Sequence, residues 1–360
     1  MVFFYILPHP ALNFNLLSLK KCKWCDTIEI KILLLSTRGL EMANIALTPR
    51  CNLSCEYCFA HDLTKSEACD IKMDDFVSIL DFLEGEGEIG LIGGEPLLHK
   101  DINEFIEILN NRYYVSRVQI FTNGIFLDRL DKNVLSSKVS ILVNVNSSGD
   151  IGTAAFEKIR KNIKDLLYYM PKSHLTLGIN IYKENQDFTD QVSLIKELGF
   201  KRIRVSVVIP KDKSQGAIAY FSKMKSTLIS LCKELKKLKV CPCYDCNAIP
   251  ECVYTKEEKE LLATLPFENE LEKRIFIGEA SVCAPIVDIY PDKTATRCFG
   301  MSSYKVKIDD FKNINDLKNH FFLALDTKLV HKHTRKECEG CYKQSVFGCF
   351  GGCLCYKEIL

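Results

Sequence analysis

From residue 42 onward the chain alternates short apolar runs with segments of helical period. Ala43 to Leu47 is a short run, apolar but for Asn44. Met73 to Leu83 then places Phe76, Ile79, Leu80 and Leu83 on one helical face, and Glu88 to Ile92 reads as a buried strand. Asp101 with Glu104 forms a capping-box pattern ahead of Ile102, Phe105, Ile106 and Leu109, followed by a strand over Val115 to Phe121. Val139 to Val145 is a fourth strand. A helix over about Thr153 to Tyr169 aligns Phe156, Ile159, Ile163 and Leu167, and leads to a fifth strand at Leu175 to Tyr182. Asp187 to Leu198, stopped by Gly199, precedes Ile203 to Ile209 and a long helix from about Gly216 to Leu238. Six strands alternating with helices predict an α/β fold with a parallel sheet, right-handed crossovers and a site at the carboxyl ends of the strands.

The flanks read differently. Residues 1–41 are patterned poorly: Met1 to Leu17 is apolar but broken by Pro8 and Pro10, lacks a basic start and is too short to span a bilayer. Cys22-Lys-Trp-Cys25 follows, weak evidence for a redox or metal pair. Because Met42 opens the first clean strand, the expected native start is Met42, with 1–41 an atypical leader. Past Lys239, Cys241, Cys243, Cys246 and Cys252 crowd a proline-interrupted loop, and Thr255 to Lys273 reads as one charged helical stretch. The expected divisions are therefore 42–240, 241–275 and 276–360.

Composition narrows the class. A length of 360 residues suits one large and one small domain, and 47% hydrophobic with 26% charged residues is ordinary globular usage. A formal charge of +2 gives no reason to expect nucleic acid or an anionic membrane as partner. The 18 cysteines are the anomaly. In a long chain with close thiol clusters they point to metal rather than a secreted disulfide scaffold, hence to a reducing cytoplasm, in an anaerobic organism.

Three of those thiols, Cys51-Asn-Leu-Ser-Cys55-Glu-Tyr-Cys58, share a loop directly after the first strand. Thiolates hold iron–sulfur clusters, which usually take four, so three cysteines leave one iron open to another ligand. Half of a structural zinc site would instead call for paired Cys-x2-Cys knuckles. The spacing, with Tyr57 before the last thiol, resembles the signature of the radical S-adenosylmethionine (SAM) superfamily. A second family element follows at Gly93-Gly94-Glu95-Pro96, where glycines permit close backbone approach and a carboxylate can accept from an ammonium. The resemblance implies a partial (β/α)6 TIM-like barrel over Met42 to about Val240. It further implies a 4Fe-4S cluster on Cys51, Cys55 and Cys58, and SAM held near Tyr57, Gly93, Gly94 and Glu95. Asn144 falls where relatives place a Ser or Asn against SAM, though a strand-end amide satisfying backbone groups explains it equally.

The carboxy-terminal thiols resemble the SPASM extension of radical SAM peptide-modifying enzymes, a small cysteine-rich domain that holds auxiliary 4Fe-4S clusters. Transferred onto matching positions, Cys283, Cys298 and Cys353 would share one cluster and Cys338, Cys341, Cys349 and Cys355 another. The pattern departs in three places: Lys293 replaces a glycine, seven residues separate Cys341 from Cys349 where five are usual, and Cys355 comes early. One or two auxiliary clusters are therefore compatible with it. Of the other thiols and imidazoles, Cys69 and Cys232 read as small core residues, His331 and His333 as part of a basic surface, and His99 as a candidate able to reach the site.

The implied chemistry is one-electron cleavage of SAM to a 5′-deoxyadenosyl radical that abstracts a substrate hydrogen, the electron coming from a donor such as flavodoxin or ferredoxin. The leading expectation is an oxidoreductase acting on a peptide or protein side chain. A sulfatase-type maturase fits less well, because Phe299 follows Cys298 where those relatives carry an Asp. The alternatives are a small-molecule enzyme, since Gly93-Gly-Glu-Pro-Leu-Leu98 also resembles the cyclase that begins molybdopterin synthesis, and a non-catalytic cysteine-rich metal-binding module. No catalytic residue is assigned.

Overall fold

The computed structural model describes residues 42–65, 67, 69–244, 246–280, 283, 286–330, 332, 338–345, 349 and 351–357. The leader with Cys22 and Cys25, and His331 and His333, lie outside the described residues. The alternating elements are strands β1 (Met42–Ala46), β2 (Glu88–Ile92), β3 (Arg117–Thr122), β4 (Val139–Asn144), β5 (Leu175–Ile181) and β6 (Arg202–Val207) with helices α1 (Met73–Phe82), α2 (Ile102–Asn111), α3 (Thr153–Leu166), α4 (Thr189–Leu198) and α5 (Ala217–Leu238). Neighbouring strands pair in parallel and in sequence order, Ile45 beside Leu91, Leu91 beside Ile120, Ile141 beside Leu175. The sheet is open, which gives the partial barrel.

Alternation along each strand sorts the two faces. Ala43 and Ile45, Ile89 and Leu91, Val118 and Ile120, Ile141 and Val143, Leu177 and Ile179, Ile203 and Val205 are buried against the helices. The helical faces that meet them are those the periodicity marks: Phe76, Ile79 and Leu80 on α1, Phe105, Ile106 and Leu109 on α2, Ile159 and Ile163 on α3. The opposite face carries the polar strand residues, with Phe121 and Leu142 among them. Asn44, Gln119, Asn144, Asn180 and Arg204 occupy it, and Gly90 and Gly178 keep it open; a Cβ on Gly178 would lie 3.0 Å from the Asn144 side-chain oxygen.

Several boundaries and caps differ from expectation for identifiable reasons. The capping box at Asp101 does not form: its backbone (φ −99°, ψ 18°) is not extended as a side-chain cap requires, and its amide donates to His99 Nδ1 at 3.1 Å. Helix α4 starts at Thr189 because Asp187 Oδ1 takes the Thr189 amide at 3.0 Å. Gly199 ends it in the left-handed conformation, φ 66°. The single charged helix over Thr255 to Lys273 is two, α6 (Lys256–Ala263) and α7 (Glu270–Phe276). Pro266 cannot continue the first, and Asn269 caps the second by accepting from the Glu272 amide at 2.9 Å.

The thiol loop after α5 is partly sheet. Cys241–Cys243 is a seventh parallel strand, β7, beside β6, with Pro242 tolerated because this is the sheet edge. At the other edge, β8 (Val287–Ile289) pairs in parallel with β1, and β9 (Thr294–Thr296) and β10 (Val306–Lys307) continue antiparallel. The carboxy-terminal region thus extends the barrel sheet rather than hanging from it. Asp288 on β8 reinforces the join, accepting from Asn44 Nδ2 on β1 and from the Phe299 amide, each at 2.7 Å. Among the described residues no helix is long and apolar enough to cross a membrane.

Within this region Arg297 and Asp326 form a buried ion pair, side chains 1% and 7% exposed, with Nε and Nη2 on the two carboxylate oxygens. Removing one partner strands the other charge away from water. Asp326→Ala should therefore cost roughly 3–5 kcal/mol in urea unfolding; an unchanged midpoint would show that the pair carries no such weight.

Candidate functional site

The site begins where β1 stops. Beyond Ala46 the chain keeps pairing with the segment after β2: the Leu47 amide donates to Ile92 O (2.9 Å), Gly94 to Thr48 O (2.8 Å) and Glu95 to Arg50 O (2.8 Å). This ladder runs to the residue before Cys51. It also explains the two glycines, because a Cβ on Gly93 would lie 2.6 Å from Thr48 O and one on Gly94 2.3 Å from Arg50 O. Arg50 is fixed further by Asp70, whose carboxylate both Nε and Nη2 approach, and by Leu98 O at 3.1 Å.

From there the loop is tied to the ends of three more strands. Asn123 Nδ2, after β3, donates to Asn52 Oδ1 at 2.9 Å. The Tyr57 hydroxyl donates to Asn146 Oδ1, after β4, and the Tyr57 ring stacks on Tyr182, after β5, with centroids 4.4 Å apart. Tyr182 is itself held by Asp150, its hydroxyl 2.7 Å from Oδ1. The aromatic residue inside the motif is thus a strut between the cysteine loop and the barrel rim.

Cys51, Cys55 and Cys58 are all half-buried. Burial pushes each thiol up, and the neighbours' charges add to this for Cys51 and Cys55, carrying Cys55 to about 11. Thiols whose ionisation burial opposes suit a ligand set in which a metal compensates the thiolate charge. Among the described residues, no three Cys, His, Asp or Glu side chains converge on one point as a single ion requires. Three thiols on one loop are the donor set that an iron–sulfur cluster with one thiolate per iron takes.

Glu95 is buried, 1% exposed. Its carboxylate accepts from Thr122 Oγ1 (2.7 Å), the Asn123 amide (2.8 Å) and the Leu97 amide (3.1 Å), while burial lifts it to about 7. The chain uses three of roughly four acceptor positions, leaving one on Oε2 for a ligand. Asn144 lies on the polar inner face, its Oδ1 accepting from Arg204 Nη1 at 3.3 Å; Asn180 takes the same nitrogen. Arg204, Asn52 and Tyr182 are site residues that sequence reasoning missed. Only their place at strand ends or in the loop could have marked them.

Elsewhere expectations divide. His99 does not face the site: it is 1% exposed, with Nε2 3.0 Å from Ile71 O and Nδ1 accepting from Asp101, which makes it a structural pin. Cys232 is a buried core residue on α5 as expected, but Cys69 is exposed in a loop and packs no core. Cys241 and Cys243 are strand residues, Cys243 Sγ meeting Ile203 O at 3.2 Å. Cys283, Cys298 and Cys353 come together, and the turn after Cys298 brings Phe299 against Phe59 of the cysteine loop. Cys355 lies beside Cys353 and packs on the turn that Cys298 begins.

Replacing Gly94 tests the ladder directly. Gly94→Ala should displace the Cys51 loop, lowering stability by about 1–3 kcal/mol and reducing iron retained after anaerobic reconstitution; wild-type values for both would contradict it.

Residues 45–210 match the family model described as the Radical SAM superfamily. In sequence the chain is similar to the GTP 3′,8-cyclase of Lactiplantibacillus plantarum, 26% identical over 185 residues, covering 50% of this chain and 49% of that protein. It is also similar to the GTP 3′,8-cyclase of Chlorobaculum tepidum, 37% identical over 95 residues, covering 26% and 28%. The chain thus spans about half, or less, of the length of these curated relatives. In fold it is similar to native anSMEcpe with bound AdoMet, TM-score 0.59 at 17% identity, covering 88% of this chain and 90% of that one. Streptococcus suis SuiB bound to S-adenosylmethionine follows at TM-score 0.51 and 14% identity, covering 90% and 74%. With its three-thiol loop laced to four strand ends, the segment 45–210 is a radical SAM domain.

Proposed function

We propose that this radical SAM enzyme modifies a peptide or protein side chain. The observation that carries the reading is the continuity of the cysteine-rich region with the barrel sheet through β8 on β1, so that the carboxy-terminal thiols belong to the same body as the active loop. The fold likeness to anSMEcpe solved with AdoMet and the Kp18Cys peptide, TM-score 0.57 at 18% identity, covers 87% of this chain and supports a peptide as substrate.

Cys51, Cys55 and Cys58 would hold three irons of a cluster and leave the fourth for SAM. Bound there, cluster and SAM would supply one-electron cleavage to methionine and a 5′-deoxyadenosyl radical, which takes a hydrogen atom from the substrate. The chain's own part is placement. Tyr57, Asn52 and the Gly93–Glu95 ladder keep the loop from moving, the free position on Glu95 Oε2 receives an ammonium, and Asn144, Asn180 and Arg204 offer polar contacts along the inner face. The carboxy-terminal thiols would hold auxiliary clusters, which would supply the electron-accepting chemistry that suits an oxidative outcome. An external flavodoxin or ferredoxin would feed the active cluster.

A second reading, cyclisation of a nucleotide, is favoured by the similarity to GTP 3′,8-cyclases. That similarity covers half of this chain at most.

Anaerobically reconstituted protein with dithionite and SAM should release 5′-deoxyadenosine, and Cys55→Ala should abolish release while auxiliary iron remains. Addition of a peptide library should raise release above the level with SAM alone, and GTP should not. Stimulation by GTP only would replace the peptide reading with the nucleotide one; zinc binding with no release would leave a metal-binding module.

A further inference from the structure

The loop bearing Cys252 has no place in the expected ligand pattern, yet the fold carries it to the carboxy-terminal thiols. Cys252 sits in the turn Glu251–Val253, after α5 and β7 and far in sequence from Cys338. The turn is fixed from below by the Glu251 amide donating to Gly278 O at 3.1 Å, an approach so close that a Cβ on Gly278 would lie 2.3 Å from the Glu251 nitrogen. From above, Glu251 Oε1 pairs with Lys343 Nζ at 2.6 Å. Lys343 is two residues past Cys341, and its carbonyl receives the Cys349 amide at 3.2 Å. One ion pair therefore clips the Cys252 turn onto the segment joining Cys341 to Cys349. Cys338 and Cys341 close the group through a tight turn, the Cys341 amide donating to Cys338 O at 3.2 Å with Gly340 left-handed at φ 75°.

Cys355 goes the other way. A Cβ on Gly300, two residues after Cys298, would lie 3.2 Å from Cys355 Cβ and 3.6 Å from its Sγ, so Cys355 packs on the turn that Cys298 begins. The Cys353 thiol contacts those of both Cys283 and Cys355.

We propose that Cys252 completes a four-thiol iron–sulfur site with Cys338, Cys341 and Cys349, and that Cys355 completes a second with Cys283, Cys298 and Cys353. The assignment rests on the reading that the carboxy-terminal thiols hold auxiliary clusters, and changes which residues do so. All-sulfur sets of four fully ligate such a cluster, leaving no iron open for substrate. Electrostatics agree: the charges of Cys338, Cys341 and Cys349 all act on Cys252. Each set also has a buried cation beside it to offset anionic cluster charge. Lys357, fully buried, adjoins Cys338 and Cys349, and Arg297 Nη2 reaches Cys283 Sγ at 3.5 Å.

The test uses the full chain carrying Cys51→Ala, Cys55→Ala and Cys58→Ala, so that only auxiliary iron is counted. After anaerobic reconstitution, iron, acid-labile sulfide and the Mössbauer and reduced-state EPR spectra are measured, then repeated with Cys252→Ala, Cys338→Ala, Cys298→Ala or Cys355→Ala added. Cys252→Ala and Cys338→Ala should each perturb or remove the same spectral component, and their combination should remove no other. Cys298→Ala and Cys355→Ala should share the second component. Whichever component survives reports that the variant folds, and Cys252→Ser, an oxygen ligand in place of sulfur, should shift the first signal without losing its iron. Were Cys252→Ala to leave both components intact while Cys355→Ala removed the one lost with Cys338→Ala, the assignment would be overturned. Absence of iron in the starting triple variant would instead overturn the auxiliary-cluster reading beneath it.

Discussion

The backbone ladder between the segment after β1 and the segment after β2 is the constraint on which the site depends. Three amide-to-carbonyl bonds carry sheet pairing past the end of the strands and deliver Cys51 at the barrel mouth. Glycine at 93 and 94 is the condition for that approach, since any side chain there would occupy the space of Thr48 and Arg50. The ladder also gives Glu95 its role within the chain: it binds the ends of β2 and β3 together before it meets any ligand. A loop anchored this way loses little further freedom on taking up a cluster, which is what preorganisation requires.

A similar logic joins the two halves. The cysteine-rich region does not dock on the barrel as a separate body; β8 adds to the sheet at β1, and Asp288 bonds at once to Asn44 on the first strand and to the backbone just past Cys298. The backbone just past Cys298 is therefore bonded, through Asp288, to the strand that carries the cysteine loop. The Glu251–Lys343 pair makes a second tie, from the turn before α6 to the last thiol segment.

Much of the barrel was legible because each helix buries one face and each strand faces the helices with alternate residues, so Phe76, Ile79 and Leu80 or Ile159 and Ile163 announce themselves by period. The three-thiol loop was legible because its spacing serves chemistry, not packing. What could not be read were features set by tertiary approach. The strand at Cys241–Cys243 is too short and proline-broken to carry a period, and β8 to β10 are two or three residues each. The Asp101 cap failed because a neighbouring imidazole claimed its amide. Tyr57 was visible in its motif, but its strut to Asn146 and Tyr182 joins residues far apart in the chain.

The central claim is that Cys51, Cys55 and Cys58 hold a cluster with one iron left to SAM. It is tested most directly by Mössbauer spectroscopy of the reconstituted cluster, with the carboxy-terminal thiols substituted, before and after SAM is added. The account predicts that one iron of the cluster is distinct from the other three and that its signal alone shifts when SAM binds. Four equivalent irons indifferent to SAM, or no cluster on these thiols, would contradict it.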